Sequence, residues 1–214
     1  MTTARRGLVA VLALLAGCSL AERPSVDTAF PADGEGTVLL GDSIMFSATE
    51  PILAELPRST VDAVPGRTMV SPALSDAGLP RVEVLAASEP DRWVVELGTN
   101  DAFTVGSVTD DVVLADLDVL LGSIDATASD GEACVWWVLP HVAAPVDPAS
   151  IARADLIATT LRDRLAARDC GGPIDWPGAV GLDPSLLDAD GVHLTTRGRD
   201  MFAELIAGTI AEGD

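Results

Sequence analysis

Thr37-Val38-Leu39-Leu40-Gly41-Asp42-Ser43-Ile44 runs from a short apolar segment into a turn, and a helical pattern follows. A serine placed where a buried strand breaks into a helix N-terminus has its hydroxyl exposed on a sharp bend. Free backbone N–H groups lie close by to receive developing negative charge. Acyl-transfer chemistry puts its nucleophile in such a place. Gly-Asp-Ser is also ordinary turn and N-cap vocabulary, so the remainder of the chain must decide between the two readings.

Outward from this stretch, apolar runs alternate with segments of helical period. Residues 38–40 read as a first strand, and 46–56 as a helix stopped by Pro57. Residues 60–64 read as a second strand ending in Pro65-Gly66-Arg67-Thr68. Residues 71–87, broken by Gly78 and Pro80, read as two short helices. Residues 93–97 form a third strand that ends in Gly98-Thr99-Asn100-Asp101, and 108–128 a long helix. Residues 134–139 form a fourth strand closed by Pro140-His141. Residues 149–169 read as an amphipathic helix with Arg153, Arg162, Arg164 and Arg168 on its wet face. A short fifth strand is expected at 174–176, then a loop rich in Asp, Pro and Gly, then a closing helix over 195–210 that Thr195 caps. Adjacent Trp136 and Trp137 point to opposite faces of their strand, and both read as core.

Strands that are continuously apolar and alternate with helices imply a parallel sheet covered on both faces, a three-layer α/β/α sandwich with five strands. In such sheets the ligand site lies beyond the carboxyl ends of the strands. Four short motifs fall at those ends: residues 41–44, 65–68, 98–101 and 188–193.

A serine nucleophile needs a base, because a free hydroxyl is almost wholly protonated at neutral pH. The chain has two histidines. His193 has Asp190 three residues before it in one loop, so a carboxylate can hold one ring nitrogen while the other faces Ser43. His141 has no acid nearer in sequence than Asp147, and it reads as structural. Ser43, His193 and Asp190 are therefore the nucleophile, base and orienting acid. Base function requires a neutral imidazole, so activity is expected to fall as pH drops through about 6 to 7.

Gly41-Asp42-Ser43-Ile44, Gly66, Gly98-Thr99-Asn100-Asp101 and Asp190-Gly191-Val192-His193, in that order, resemble the signature of the GDSL or SGNH hydrolase superfamily, across residues 38–210. Three positions depart from it: Ile44 stands for Leu, Met45-Phe46-Ser47 lacks a glycine often found there, and Leu194 stands where proline is frequent. The resemblance implies a flavodoxin-like sheet and an oxyanion hole made by the Ser43 N–H, the Gly66 N–H and the Asn100 side-chain amide. Gly66 has a rationale of its own, since backbone approaches an acyl group closely only where no side chain intervenes. Asp42 and Asp101 read as braces for the loops.

Composition bounds the partners. Thirteen Lys plus Arg stand against 33 Asp plus Glu, a net charge of −20, which repels nucleic acid and anionic membrane faces. Residues 1–17 read as a signal peptide, with Arg5 and Arg6 before an apolar run too short to span a bilayer. Leu15-Ala16-Gly17-Cys18 resembles the lipobox of bacterial lipoproteins, which implies lipidation of Cys18 and cleavage before it. Residues 18–36 are polar and punctuated by Pro and Gly, a tether reaching at most about 60 Å. The folded domain is 37–214.

Outside the cytoplasm Cys134 and Cys170 either pair or stay as two separately buried thiols. The start of a parallel strand and the end of a crossover helix share one edge of the sheet, so a bridge fits. It would contribute roughly 3 to 4 kcal/mol by closing a loop of about 36 residues.

No Cys and His cluster has metal-ligand spacing and no Gly-rich phosphate loop appears, so no cofactor or metal is expected. The leading expectation is an exported, monomeric serine esterase that acts on small-molecule or glycan-linked acyl esters and touches membrane only through a lipid on Cys18. Two alternatives stand beside it: a cell-wall glycan O-acyltransferase or deacetylase, and a tethered binding lipoprotein without catalysis.

Overall fold

The computed structural model describes residues 36–70, 76–128 and 133–212. The signal segment, Cys18 and the tether up to residue 35 lie outside the described residues. Five parallel strands, β1 (Thr37–Gly41), β2 (Thr60–Ala63), β5 (Arg92–Glu96), β6 (Cys134–Val138) and β7 (Gly171–Ile174), form the main sheet in the order β2-β1-β5-β6-β7. β3 (Arg67–Thr68) and β4 (Asp76–Ala77) form a separate two-stranded parallel pair.

β1, β5 and β6 are almost wholly buried, as runs without a period of two require when both faces of a sheet are covered. The connection from β1 to β2 runs one way along the sheet, and those from β2 to β5, β6 and β7 run the other. Right-handed crossovers therefore send them to opposite faces. α1 (Ser43–Ser47) and α2 (Thr49–Glu55) leave β1, and α2 packs against the last helix, α8 (Thr196–Glu212). On the other face α3 (Leu79–Ala86) packs on α5 (Asp110–Asp125). α5 in turn meets α6 (Pro148–Leu165), and α4 (Thr99–Ala102) also packs on α6. The order reverses between β1 and β5, so the crevice between these two connections opens over their carboxyl ends. The architecture is the expected α/β/α sandwich.

Details differ from the sequence expectations for local reasons. Pro80 occupies the first turn of α3, where its missing N–H costs nothing. It starts one helix where two were expected over 71–87, and residues 71–75 lie outside the described residues. The fifth strand is β7, earlier than 174–176, because Gly171 sits so close to the Val135 backbone that no side chain fits. Trp176 instead opens α7 (Trp176–Leu182), with Asp175 accepting the Gly178 N–H as its cap. A 3-10 turn, Pro184–Leu186, follows inside the expected loop. Two arginines assigned to a wet face turn inward, Arg153 buried and Arg168 half-buried. Arg153 donates to Asp110, Thr104 and the Val108 carbonyl, and Arg168 to Asp125 and the Ala133 carbonyl. Both tie the α6 region to the α5 region.

Trp136 and Trp137 are both buried, and the Trp137 indole N–H donates to the Leu97 carbonyl at 3.0 Å. Cys134 and Cys170 are joined, with Cα atoms 4.8 Å apart, across the amino-end edge of β6 and β7. Thr195 caps α8 by accepting the Gly198 N–H at 3.1 Å. Among the described residues no helix is long and apolar enough to cross a membrane.

Candidate active site

Ser43 is the first residue of α1, directly beyond the end of β1. Gly41 is required at the bend, because a Cβ there would lie 2.5 Å from the Met45 Cβ. The Asp42 carboxylate caps the helix by accepting the Ile44 N–H at 2.9 Å. The hydroxyl of Ser43 is half-exposed and sits 3.2 Å from Nε2 of His193. Nδ1 of the same ring lies 2.7 Å from Oδ2 of Asp190. With Asp190 ionised, Nδ1–H donates to it and the Nε2 lone pair faces the serine.

The loop that carries Asp190 and His193 lies between β7 and α8 and is tied at several points. Oδ1 of Asp190 accepts the N–H groups of Val192 and His193, at 2.9 and 3.0 Å. The Asp188 N–H donates to the His193 carbonyl at 2.7 Å, and the Ala143 N–H to the Gly191 carbonyl at 2.8 Å. Gly191 has φ +75°, and a Cβ there would meet the Ala143 carbonyl oxygen at 2.3 Å. A small degree of burial pushes the Asp190 carboxyl up, but its bonds from the His193 ring and the two N–H groups prevail and hold it at about 2. The pair is otherwise open to solvent: the His193 side chain is 48% and Asp190 51% exposed.

Gly66 has φ +79° and lies just before β3. Among the described residues neither its N–H nor that of Ser43 donates a hydrogen bond. Asn100 lies in α4, beyond the end of β5, and its amide nitrogen donates to Oδ2 of Asp42 at 2.7 Å and to the Arg67 carbonyl at 3.1 Å. Thus Asp42 ties the Asn100 loop to the Ser43 turn. Asp101 does the same for the next pair of loops, both its oxygens accepting the Met69 N–H at 3.2 Å. The two aspartates act as braces, as the sequence suggested. Burial dominates their titration. It raises Asp42 to about 6, with the bonds from Ile44, Glu96 and Asn100 and the field of His193 pulling the other way. Asp101 rises to about 7 for the same reason, opposed by the Met69 N–H.

Two residues with no assigned role in the sequence reading support this centre. Arg67 is 1% exposed, and its guanidinium donates to the Gly41 carbonyl at 3.2 Å, to Asp62 and to Asp76. It thereby anchors the Gly66 loop to the end of β1. Glu96 accepts the backbone N–H groups of Asp42 and Met45 at 3.1 and 3.2 Å. The available signal was a charged residue inside the apolar run Trp93-Val94-Val95-Glu96-Leu97. His141 makes no hydrogen bond to Ser43 or Asp190 among the described residues. It is half-buried, and burial lowers its pKa against the field of Asp155. Among the described residues no group of three or more His, Cys, Asp or Glu is arranged to hold a metal.

Neither a protein-family model nor a curated protein sequence matches this chain. Solved structures do. The C-terminal catalytic domain of peptidoglycan O-acetyltransferase A from Streptococcus pneumoniae, solved with a methylsulfonyl adduct, is similar at TM-score 0.61 and 17% identity, over 84% of this chain and 94% of that one. Est24, a carbohydrate acetylesterase from Sinorhizobium meliloti, is similar at TM-score 0.61 and 17% identity, over 83% and 99%. A protein assigned as an SGNH hydrolase, from Slackia heliotrinireducens, is similar at TM-score 0.60 and 17% identity, over 83% and 100%. The fold of this chain is that of the SGNH/GDSL hydrolases.

Proposed function

We propose that the protein is an exported serine esterase that cleaves O-acyl esters through a covalent acyl-enzyme. The observation that carries this reading is the continuous hydrogen-bonded line from Asp190 through His193 to Ser43, at 2.7 and 3.2 Å. Ser43 Oγ attacks the ester carbonyl carbon while its proton passes to Nε2 of His193. The tetrahedral oxyanion is received by the Ser43 and Gly66 N–H groups and the Asn100 amide. His193 then gives the proton to the departing alkoxide, which leaves as the alcohol. Water adds to the acyl-serine with the same base, and the carboxylic acid departs.

Export is supported by the Cys134–Cys170 bridge, which suits an oxidising compartment. The lipobox-like Leu15-Ala16-Gly17-Cys18 supports anchoring through a lipid on Cys18. The deciding experiment is fluorophosphonate labelling of the full chain together with a panel of chromogenic esters from acetyl to palmitoyl. Labelling and turnover that vanish in Ser43→Ala are expected. A wild-type chain that neither labels nor hydrolyses any member of the panel would leave the tethered binding role instead.

Transfer of the acyl group to a glycan is favoured by one observation, the likeness to the peptidoglycan O-acetyltransferase domain. Both reactions share the acyl-serine and differ in whether water or a sugar hydroxyl resolves it. Partition of an acetyl donor between acetate and an acetylated cell-wall oligosaccharide separates them.

A further inference from the structure

Glu96 is the only acid in β5, where Trp93, Val94, Val95 and the following Leu97 are all buried. It is 2% exposed, and the β1–β5 register sets it opposite Gly41, at the foot of the nucleophile turn. Its Oε2 takes two backbone N–H groups, those of Asp42 and Met45, which flank Ser43. Its carboxyl also meets the carboxyl of Asp42, which is 0% exposed. Two carboxylates in contact and shut away from water do not both ionise; one proton is held between them.

The bond pattern says where that proton sits. Asp42 already accepts from the Ile44 N–H on one oxygen and from the Asn100 amide on the other, the environment of an ionised carboxylate. On Glu96 both backbone donors converge on Oε2, which leaves Oε1 to carry the hydrogen. Burial and the charge of Asp42 both raise Glu96 well above the ordinary carboxyl range. The other titratable or charged groups facing the pair are His193 from the loop before α8 and Asp101 from α4, with the Arg67 guanidinium on the Gly41 carbonyl.

We propose that Glu96 is a positioning residue of this site: as a neutral acid it donates to the Asp42 carboxylate and receives the N–H groups on either side of Ser43. One buried side chain thereby sets both the turn that presents the nucleophile and, through Asp42, the amide of Asn100. The inference rests on the esterase reading above, since it assigns Glu96 to the machinery of Ser43.

The chain offers a direct probe, because Asn100 is its only asparagine and it has no glutamine. In wild type and Glu96→Leu one side-chain NH2 pair in a 15N-correlated spectrum therefore reports the Asp42–Asn100 bond, and in Glu96→Gln, which adds a second pair, asparagine-selective 15N labelling keeps the Asn100 pair identified. Three full-length proteins are compared, wild type, Glu96→Gln and Glu96→Leu, by kcat and KM on an acetyl ester and by that NH2 pair. Gln mimics a neutral acid in shape, donor and acceptor, so E96Q is expected to keep kcat within about threefold and the Asn100 signals near their wild-type positions. Leu fills the space and removes both functions. E96L is expected to lose about 30- to 100-fold in kcat with KM little changed, and to shift the Asn100 pair.

A folded E96L with wild-type kcat, or with unmoved Asn100 signals, overturns the proposal. So does an E96Q protein that loses about 30-fold or more, since the group would then work as a carboxylate. If E96L fails to fold, E96Q decides alone by the same two measurements. A wild type without ester turnover refutes the esterase reading, while the NH2 pair still tests the arrangement of Glu96, Asp42 and Asn100.

Discussion

The amide of Asn100 is committed twice at rest, to Asp42 and to the Arg67 carbonyl, and the second bond is the longer at 3.1 Å. An oxyanion formed at Ser43 would compete for the hydrogen held by Arg67, whereas the Asp42 bond keeps the amide plane in place. Loss of a hydrogen-bond donor to such an oxyanion typically costs 2.7 to 4 kcal/mol of transition-state stabilisation. Asn100→Ala is accordingly expected to lose about 100- to 1000-fold in kcat with KM little affected, in a protein that melts normally. A kcat within threefold of wild type removes Asn100 from the hole. Ser43, His193 and Asp190, the proposed nucleophile, base and acid, could be singled out in the sequence because each such role needs a particular side chain at a strand end or in one short loop, and the structure brings the three within hydrogen-bond distance. Glu96 and Arg67 could not be, since most of their partners at the site are backbone atoms: the N–H groups of Asp42 and Met45, and the carbonyls of Gly41 and Asp62. Every residue type supplies such atoms, so no spacing marks them.

At the scale of elements, the strands read correctly where they are continuously apolar and erred where backbone approach decides. β7 contains Gly171-Gly172-Pro173, a poor strand by propensity, yet Gly171 lets it close against β6. Gly191 obeys the same logic in the loop that carries Asp190 and His193. Gly191→Ala forces a Cβ towards the Ala143 and Ala144 carbonyls in a backbone conformation that suits glycine. It should cost about 1 to 3 kcal/mol of stability, read from the urea midpoint. Because the same loop carries His193, kcat should fall by more than about tenfold. Equal stability and unchanged kcat would show that the loop is looser than its bonds imply. The Cys134–Cys170 bridge makes the converse case, for it lies at the amino-end edge of the sheet while Ser43 and the other proposed catalytic groups lie at the carboxyl ends. Replacing both cysteines by serine is expected to lower stability by about 3 to 4 kcal/mol, given the sequence separation of 36. Turnover at 25 °C should be unchanged.

For the molecule as a whole, charge and burial act in the same direction on its pH dependence. Asp42 and Asp101 have folded values of about 6 and about 7 against 3.8 for the free side chain, and Glu96 is raised as well. A group whose folded value is raised binds more protons in the native state, so its stabilising contribution is complete below the unfolded value and lost as pH rises through the folded one. The window is pH 4 to 7. The opposite shift of Asp190, to about 2, acts only below that window and at an open surface. A net charge of −20 adds repulsion that also grows as carboxyls ionise. The melting temperature is therefore expected to fall from pH 5 to pH 8 at constant ionic strength, while an esterase that needs a neutral base gains activity over the same range. Two controls separate the causes. Added salt should lift the high-pH melting temperature by screening the surface charge without removing the slope due to the buried acids. Asp101→Asn, whose amide oxygen still accepts the Met69 N–H, should flatten the slope between pH 6 and 8 by removing the group that titrates at about 7. A melting temperature that rises from pH 5 to 8 in wild type, or an Asp101→Asn curve parallel to it, would mean that these carboxyls are ionised throughout and that the protein stabilises their charge in some other way.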